Sequence, residues 1–275
     1  MMKMLLTTFL DTILGIEMPK RNPRKSRNRS VSSNRAPANP WLFGLHTVTA
    51  ALLNKNRQIK RLLVTSAGHE RLPERAIQAF QPEFVGSEDL AALLPPGAVH
   101  QGVTVLCEPL PSPVLEEILL NTPKQDVIIV LDQVTDPQNI GAVMRSAAAF
   151  SARALVMQDR HAPQITGALA KAASGALETL PLVRVTNLAR ALDELRAAQF
   201  WCIGLDGKSE NILSDLKING RVALVMGAED DGLRRLTIER CDALARLPTT
   251  DIFSTLNVSA AAAAALYECA RQQNS

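Results

Sequence analysis

Aromatic residues are scarce in this chain: 4% of 275 residues, with one Tyr, two Trp and seven Phe. So few rings suit close helix packing through the abundant Ala better than platforms on which bases stack. Cysteine is also sparse. Cys107, Cys202, Cys241 and Cys269 form no C-x-x-C pair, so they read as buried free thiols of a reducing cytosol. His46, His69, His100 and His161 are scattered, and no metal site is expected. No apolar run reaches transmembrane length, and no membrane partner is expected. Neither G-x-G-x-x-G nor a Walker A motif occurs, which removes the dinucleotide-dependent oxidoreductase and P-loop classes.

Charge is present but unevenly placed. Residues 1–40 hold eight Lys/Arg against two Asp/Glu, a net of +6, so the other 235 residues carry −3 of the chain's +3. The segment 19–40, PKRNPRKSRNRSVSSNRAPANP, has almost nothing to bury and reads as a disordered basic arm. It suits RNA phosphates, and it suits a solubilising tail equally. The apolar stretch before it precedes most of its basic residues, the reverse of a signal peptide, and carries no A-x-A cleavage pattern. The expected location is the cytoplasm.

From Trp41 the chain reads as alternating strands and helices. Helices are predicted over 45–53, 72–80 and 88–94, and strands over 59–64, 84–85 and 103–107. Pro109 and Pro111 mark a linker with a short helix, 114–120. A second domain then offers strands at 127–131, 154–157, 182–185, 200–205, 222–226 and 244–247. Its helices fall at 139–150, 164–173, 188–198 and 257–270, with 233–241 helical or irregular. This alternation predicts an α/β fold with a mostly parallel sheet covered on both faces. The division is an arm (1–40), a small module (41–107), a linker (108–124) and a larger domain (125–275).

Three stretches carry candidate chemistry. In 127–150, VIIVLDQVTDPQNIGAVMRSAAAF, a buried strand feeds a helix through a polar loop, the usual place for a site in an α/β fold. Asp136-Pro137 reads as a stop signal, with the helix beginning near Gln138 or Asn139. Asn139 and Arg145 are the polar residues this unit presents. A helix cap and a surface charge account for them as well as a site does. In 222–233, VALVMGAEDDGL, a buried strand ends in Gly227, and Gly232 follows five residues on. The glycines allow backbone to approach a ligand, and Glu229 suits either a ligand or an acidic turn. In 247–268, Thr255 and Asn257 alternate toward one pocket, or Asn257 simply caps an Ala-rich helix.

Taken together, these stretches resemble the SpoU (TrmH) family of RNA ribose 2′-O-methyltransferases, within the SPOUT superfamily. The matching residues are Asn139, Gly141 and Arg145, then Gly227, Glu229, Gly232 and Leu233, then Leu256-Asn257-Val258-Ser259. Ser174-Gly175-Ala176 is similar to the family's central small-residue segment. The module at 41–107, opening Phe43-Gly44-Leu45-His46, resembles the ribosomal protein L30e-like substrate-binding domain of one branch. Departures are Asp230 for a usual glycine, Thr249 and Asp251 for methionine and glycine, and Thr255 for serine. The two aspartates add negative charge near the expected cofactor loops.

The resemblance implies a C-terminal SPOUT α/β trefoil-knot domain behind a small L30e-like domain. It implies S-adenosylmethionine held by Met226, Gly227, Ala228, Gly232, Leu233, Leu247, Thr249 and Leu256. It assigns catalysis to Asn139, Arg145, Glu229, Thr255 and Asn257. Arg145 would polarise the ribose hydroxyl or take its proton, Glu229 would position the arginine or the substrate, and Asn139 would orient Arg145 or the ribose. The implied partners are RNA and a second copy of the chain, because the family completes its site across two domains. The small module favours a guanosine of 23S rRNA. A tRNA substrate, or ribosome assembly by a catalytically degraded RNA binder, are the alternatives.

Overall fold

The computed structural model describes residues 40–160, 162–229, 231–250 and 256–274. Except for Pro40, the predicted basic arm lies outside the described residues, as do Asp230, Asp251, Thr255 and part of the expected knot region.

The first sheet is built from β1 (Trp41–Phe43), β2 (Ile59–Val64), β3 (Glu83–Phe84) and β4 (Val103–Cys107). Between them lie α1 (Leu45–Leu53), α2 (Ser66–Glu70), α3 (Glu74–Ile77) and α4 (Ser87–Ala92). The strand order is β1-β4-β2-β3, with β4 antiparallel to both neighbours and β3 parallel to β2. Short α5 (Leu115–Leu119) then leads to the larger domain and buries Leu115 and Ile118.

The larger domain runs β5 (Asp126–Asp132), α6 (Pro137–Ala149), β6 (Ala154–Gln158), α7 (Gly167–Ala173), β7 (Leu182–Val185) and α8 (Leu188–Ala197). It continues with β8 (Trp201–Leu205), β9 (Arg221–Gly227), α9 (Arg235–Ile238), β10 (Ala243–Ala245) and α10 (Val258–Gln273). Six strands pair in the order β10-β8-β9-β5-β6-β7, every neighbouring pair parallel. The two faces follow from strand alternation. Val127, Ile129 and Leu131 face α6, α7 and α10, while Ile128 and Val130 face α5 and α8. Chain order reverses between β5 and β9, which places a topological switch point at their carboxyl ends.

Several element boundaries differ from the sequence expectation, each for a local reason. α6 starts at Pro137, with Asp136 as its N-cap, one or two residues before the expected Gln138 or Asn139. Proline fits the first helical position, where no N–H is needed, and the Asp136 carboxylate accepts from the N–H groups of Gln138 and Asn139. The helix expected from 164 begins at Gly167, because the Thr166 hydroxyl accepts from Leu169 N. Gly167 is required there: a Cβ would lie 2.3 Å from the Trp41 carbonyl oxygen. The helix expected over 72–80 shrinks to α3, with Pro73 at its N-cap.

The small module and the larger domain lie in one compact unit, 37–275. A buried polar cluster joins them. Arg57 Nη2 and Nε donate to the two Glu178 carboxylate oxygens at 2.6 and 3.1 Å, and Arg57 Nη1 donates to the Glu108 carbonyl at 2.9 Å. Asn54 Nδ2 adds a 2.8 Å bond to Glu178. The paired side chains are only 1% and 3% exposed. Nearby, Thr47 Oγ1 donates to Ala170 O and Lys171 Nζ to Gln101 Oε1. Burial lowers the Lys171 pKa.

Candidate active site

The three motif segments meet at the carboxyl edge of the parallel sheet. Asn139 stands in the first turn of α6, Glu229 in the loop after β9, and Asn257 at the N-cap of α10. Their side chains bond directly. Glu229 Oε1 accepts from Asn139 Nδ2 at 2.8 Å and from Asn257 Nδ2 at 2.7 Å. Asn257 Nδ2 also donates to Asn139 Oδ1 at 3.0 Å. Asn257 Oδ1 accepts from Ser259 N at 2.9 Å, so one residue both caps the helix and joins the network. The Glu229 carboxylate is exposed and has no cationic partner among the described residues. It is oriented by amides and keeps its charge available.

Arg145 does not join this network. It is exposed and makes no hydrogen bond or ion pair among the described residues. Helix geometry explains the separation: six residues place it about 9 Å along α6 from Asn139 and about 120° around it. The expected contacts of Glu229 and Asn139 with Arg145 are therefore absent within the chain, and Glu229 holds the two asparagines instead. Thr255 lies outside the described residues.

Beside the network opens a cleft of about 180 Å³. Met226, Gly227, Ala228, Gly232, Leu247, Thr249 and Leu256 line it, together with Glu229. Leu233, expected against the cofactor, turns into the core instead: it is buried, and its side chain packs beside Gly204 on the opposite face. The sequence reading missed Asp206, Gly207 and Arg246, which also line the cleft from the ends of β8 and β10. The backbone crowds at the cleft wall. A Cβ on Gly227 would lie 2.1 Å from Gly232 C, and Gly232 itself has φ +65°. Ala228 and Gly232 form an antiparallel bridge. This geometry offers main-chain groups to a ligand over an apolar floor of Leu205, Met226, Ala245 and Val258.

A second feature escaped the sequence reading. Asp132, at the end of β5, is completely buried and pairs in register with Gly227. Its carboxylate accepts from Arg234 N at 3.0 Å, Arg234 Nε at 2.6 Å and Thr237 Oγ1 at 2.6 Å. These bonds tie the chain beyond Gly232 to the central strand. The cysteines take no part. Burial pushes Cys107 up to about 11 and Cys202, Cys241 and Cys269 up to about 12, so they stay protonated at neutral pH. Among the described residues no cluster of His, Cys, Asp or Glu is arranged to hold a metal, and no helix is long and apolar enough to cross a membrane.

Residues 126–267 match the SpoU rRNA Methylase family, and residues 41–113 match the RNA 2'-O ribose methyltransferase substrate binding family. The chain is 38% identical over 242 residues to the 23S rRNA (guanosine-2'-O-)-methyltransferase RlmB of Pseudomonas aeruginosa, covering 84% of this chain and 96% of the relative. It is 39% identical over 251 residues to the protein of the same name from Vibrio cholerae, covering 86% and 98%. Among solved structures it resembles the SpoU methyltransferase AviRb from Streptomyces viridochromogenes in complex with the cofactor AdoMet. That match has a TM-score of 0.71 and 25% identity, and covers 84% of this chain and 89% of the other.

Proposed function

The chain belongs to the SpoU rRNA methylase family, and we propose that, within RNA, its target is the ribose of a guanosine in 23S rRNA. It is an S-adenosylmethionine-dependent RNA ribose 2′-O-methyltransferase. The observation that supports the 23S target is the match over nearly the full length of relatives described as 23S rRNA guanosine methyltransferases, small module included.

The cleft fits the cofactor. Its apolar floor suits an adenosine moiety, the crowded backbone at Gly227 and Gly232 supplies donors and acceptors, and Asp206 and Glu229 set carboxylates beside a cationic ligand. When bound, S-adenosylmethionine supplies an electrophilic methyl group. The rest falls to the chain. The residues at the ends of β8, β9 and β10 fix the ligand, and the asparagine–glutamate network fixes the position from which a ribose is presented. The ribose 2′-hydroxyl must lose a proton as the methyl arrives, and an exposed, amide-oriented carboxylate such as Glu229 suits holding or accepting a donor there.

The site is completed across a homodimer. Arg145 is exposed without a partner among the described residues, and α10 presents Ala260, Ala264 and the 59% exposed Tyr267 along one stripe. Ala262 and Ala265 instead pack inward. The stripe and the free cation support a second copy docking there, its Arg145 reaching the first copy's network. Sedimentation should give twice the 29.8 kDa chain mass. A monomer that methylates RNA at the wild-type rate would remove the dimer. The buried thiols support a reducing compartment, and we place the enzyme in the cytoplasm. Mapping 2′-O-methyl riboses in total RNA from cells with and without the gene tests the target. Loss of one guanosine mark in 23S rRNA is expected; loss of a tRNA mark instead would overturn the 23S reading.

A further inference from the structure

The parallel sheet carries a second cleft at its carboxyl edge, on the other side of the 228–237 segment from the first. It holds about 410 Å³ over the ends of β6 and β7. Gln158, Thr186, Asn187, Arg234 and Arg235 supply its polar groups. The methyl-transfer reaction as derived above makes no use of it.

The Arg234 guanidinium is held unusually firmly for a group that is 37% exposed. Its Nε is bonded to Asp132, a carboxylate with no exposure at all, and Asp132 is fixed by two more bonds, from Arg234 N and Thr237 Oγ1. A buried carboxylate is costly, and well-packed apolar residues usually serve stability as well. What the pair supplies beyond stability is orientation. With Nε tied down, the planar fork is fixed, and neither Nη makes a hydrogen bond among the described residues. A fixed guanidinium edge matches two oxygens of a phosphodiester. Arg235 stands at the mouth, 79% exposed, and among the described residues is paired only with Glu239 four residues on.

The position links this cleft to the reacting groups. Asp132 sits opposite Gly227 in the β5–β9 register, and a single chain segment runs from Glu229 in the first site to Arg234 in the second. The strands from β9 to β7 span about 14 Å at the usual spacing. A ribose at the asparagine–glutamate network therefore has backbone phosphates close enough to reach the second cleft.

We propose that Arg234, oriented by buried Asp132 and assisted by Arg235, grips a backbone phosphate of the substrate RNA a short distance from the methylated ribose. The proposal rests on RNA methyl transfer and does not depend on which RNA is the target. Phosphate contacts fix register and carry salt dependence, while base contacts carry sequence.

The test is single-turnover methyl transfer from labelled S-adenosylmethionine to total RNA from cells lacking the gene, with RNA concentration and salt varied. Arg234→Lys keeps a cation against Asp132 and withdraws the planar fork. The half-saturating RNA concentration should rise about tenfold as the fork is lost, while the log–log salt slope stays near wild type because the cation is kept. The rate at saturating RNA should stay within about twofold, and cofactor affinity should not move. A folded Arg234→Lys protein with unchanged half-saturation would overturn the proposal. So would a lower saturating rate with unchanged half-saturation, which assigns Arg234 only to holding the Glu229 loop. If Arg234→Lys melts well below wild type, Arg235→Gln, outside the buried network, decides: about a threefold rise and a shallower slope are expected, and no change in either refutes it. Sequencing the labelled RNA reports separately whether the target is 23S rRNA.

Discussion

Two glutamates in this protein are each held by side-chain N–H donors, one buried and one exposed. Glu178, at the junction between the small module and the larger domain, accepts from Asn54 and twice from Arg57, and the cluster is buried. Glu229, at the carboxyl edge, accepts from Asn139 and Asn257 and is exposed. At the junction an arginine neutralises the carboxylate, and Glu108 O takes a further donor of that arginine. At the edge, among the described residues, only neutral amides hold it, so its charge is oriented and unspent. The first arrangement fixes how the two sheets sit together. The second costs little to keep and offers a group to a ligand. Cation placement, more than the glutamate itself, separates a structural site from a reactive one.

The cations give the largest expected contrast. Arg57 is consumed inside, whereas Arg145 is exposed and free of partners among the described residues. Arg145→Ala should cut single-turnover methyl transfer by about 10²–10⁴-fold, with cofactor affinity by calorimetry and the melting temperature near wild type. Lys should rescue poorly, because an ammonium lacks the planar fork. Retention of more than about a third of the rate would return Arg145 to an ordinary surface charge.

Arg57→Ala should do the opposite. It leaves Glu178 buried and uncompensated, a loss of about 3–5 kcal/mol by urea unfolding, with the rate per folded molecule preserved. A smaller effect comes from the thiols. Each folded cysteine keeps its proton to a higher pH than its unfolded form, so the stability it contributes is present below pH 9 and lost as pH rises toward about 12. Comparing unfolding at pH 8 and pH 10 should show a drop of about 1 kcal/mol per buried thiol, and Cys202→Ala should flatten it by one such increment. An unchanged pH slope in that variant would contradict the assignment.

Much of the edge site was legible in the sequence because its residues sit where strands end and helices begin. Asn139, Glu229 and Asn257 each follow a strong local signal, and the structure brings them into one network. The cleft's glycines were legible for the same reason. The junction was not. Arg57 and Glu178 are 121 residues apart, and neither has a local pattern that distinguishes it from a surface charge. Asp132 and Arg234, 102 residues apart, were hidden likewise. Asp136-Pro137 marked the end of the strand but hid its second role: it also caps the next helix, which starts at Pro137 and not at Gln138 or Asn139, as the bonds from Gln138 and Asn139 show. Arg145 shows the limit of spacing, since six residues along a helix carry it away from the group expected to hold it.

The most direct measurement sets Glu229→Gln beside Glu178→Gln. Both changes keep the shape and the amide-facing oxygen and remove one negative charge. Glu229→Gln should melt within about 2 °C of wild type and lose about 10²-fold or more in the single-turnover rate at saturating RNA and cofactor. Glu178→Gln should melt at least about 5 °C lower, with the rate of the folded protein within about twofold of wild type. A Glu229→Gln protein that methylates RNA at the wild-type rate would contradict the account, as would a Glu178→Gln protein that is fully stable and inactive.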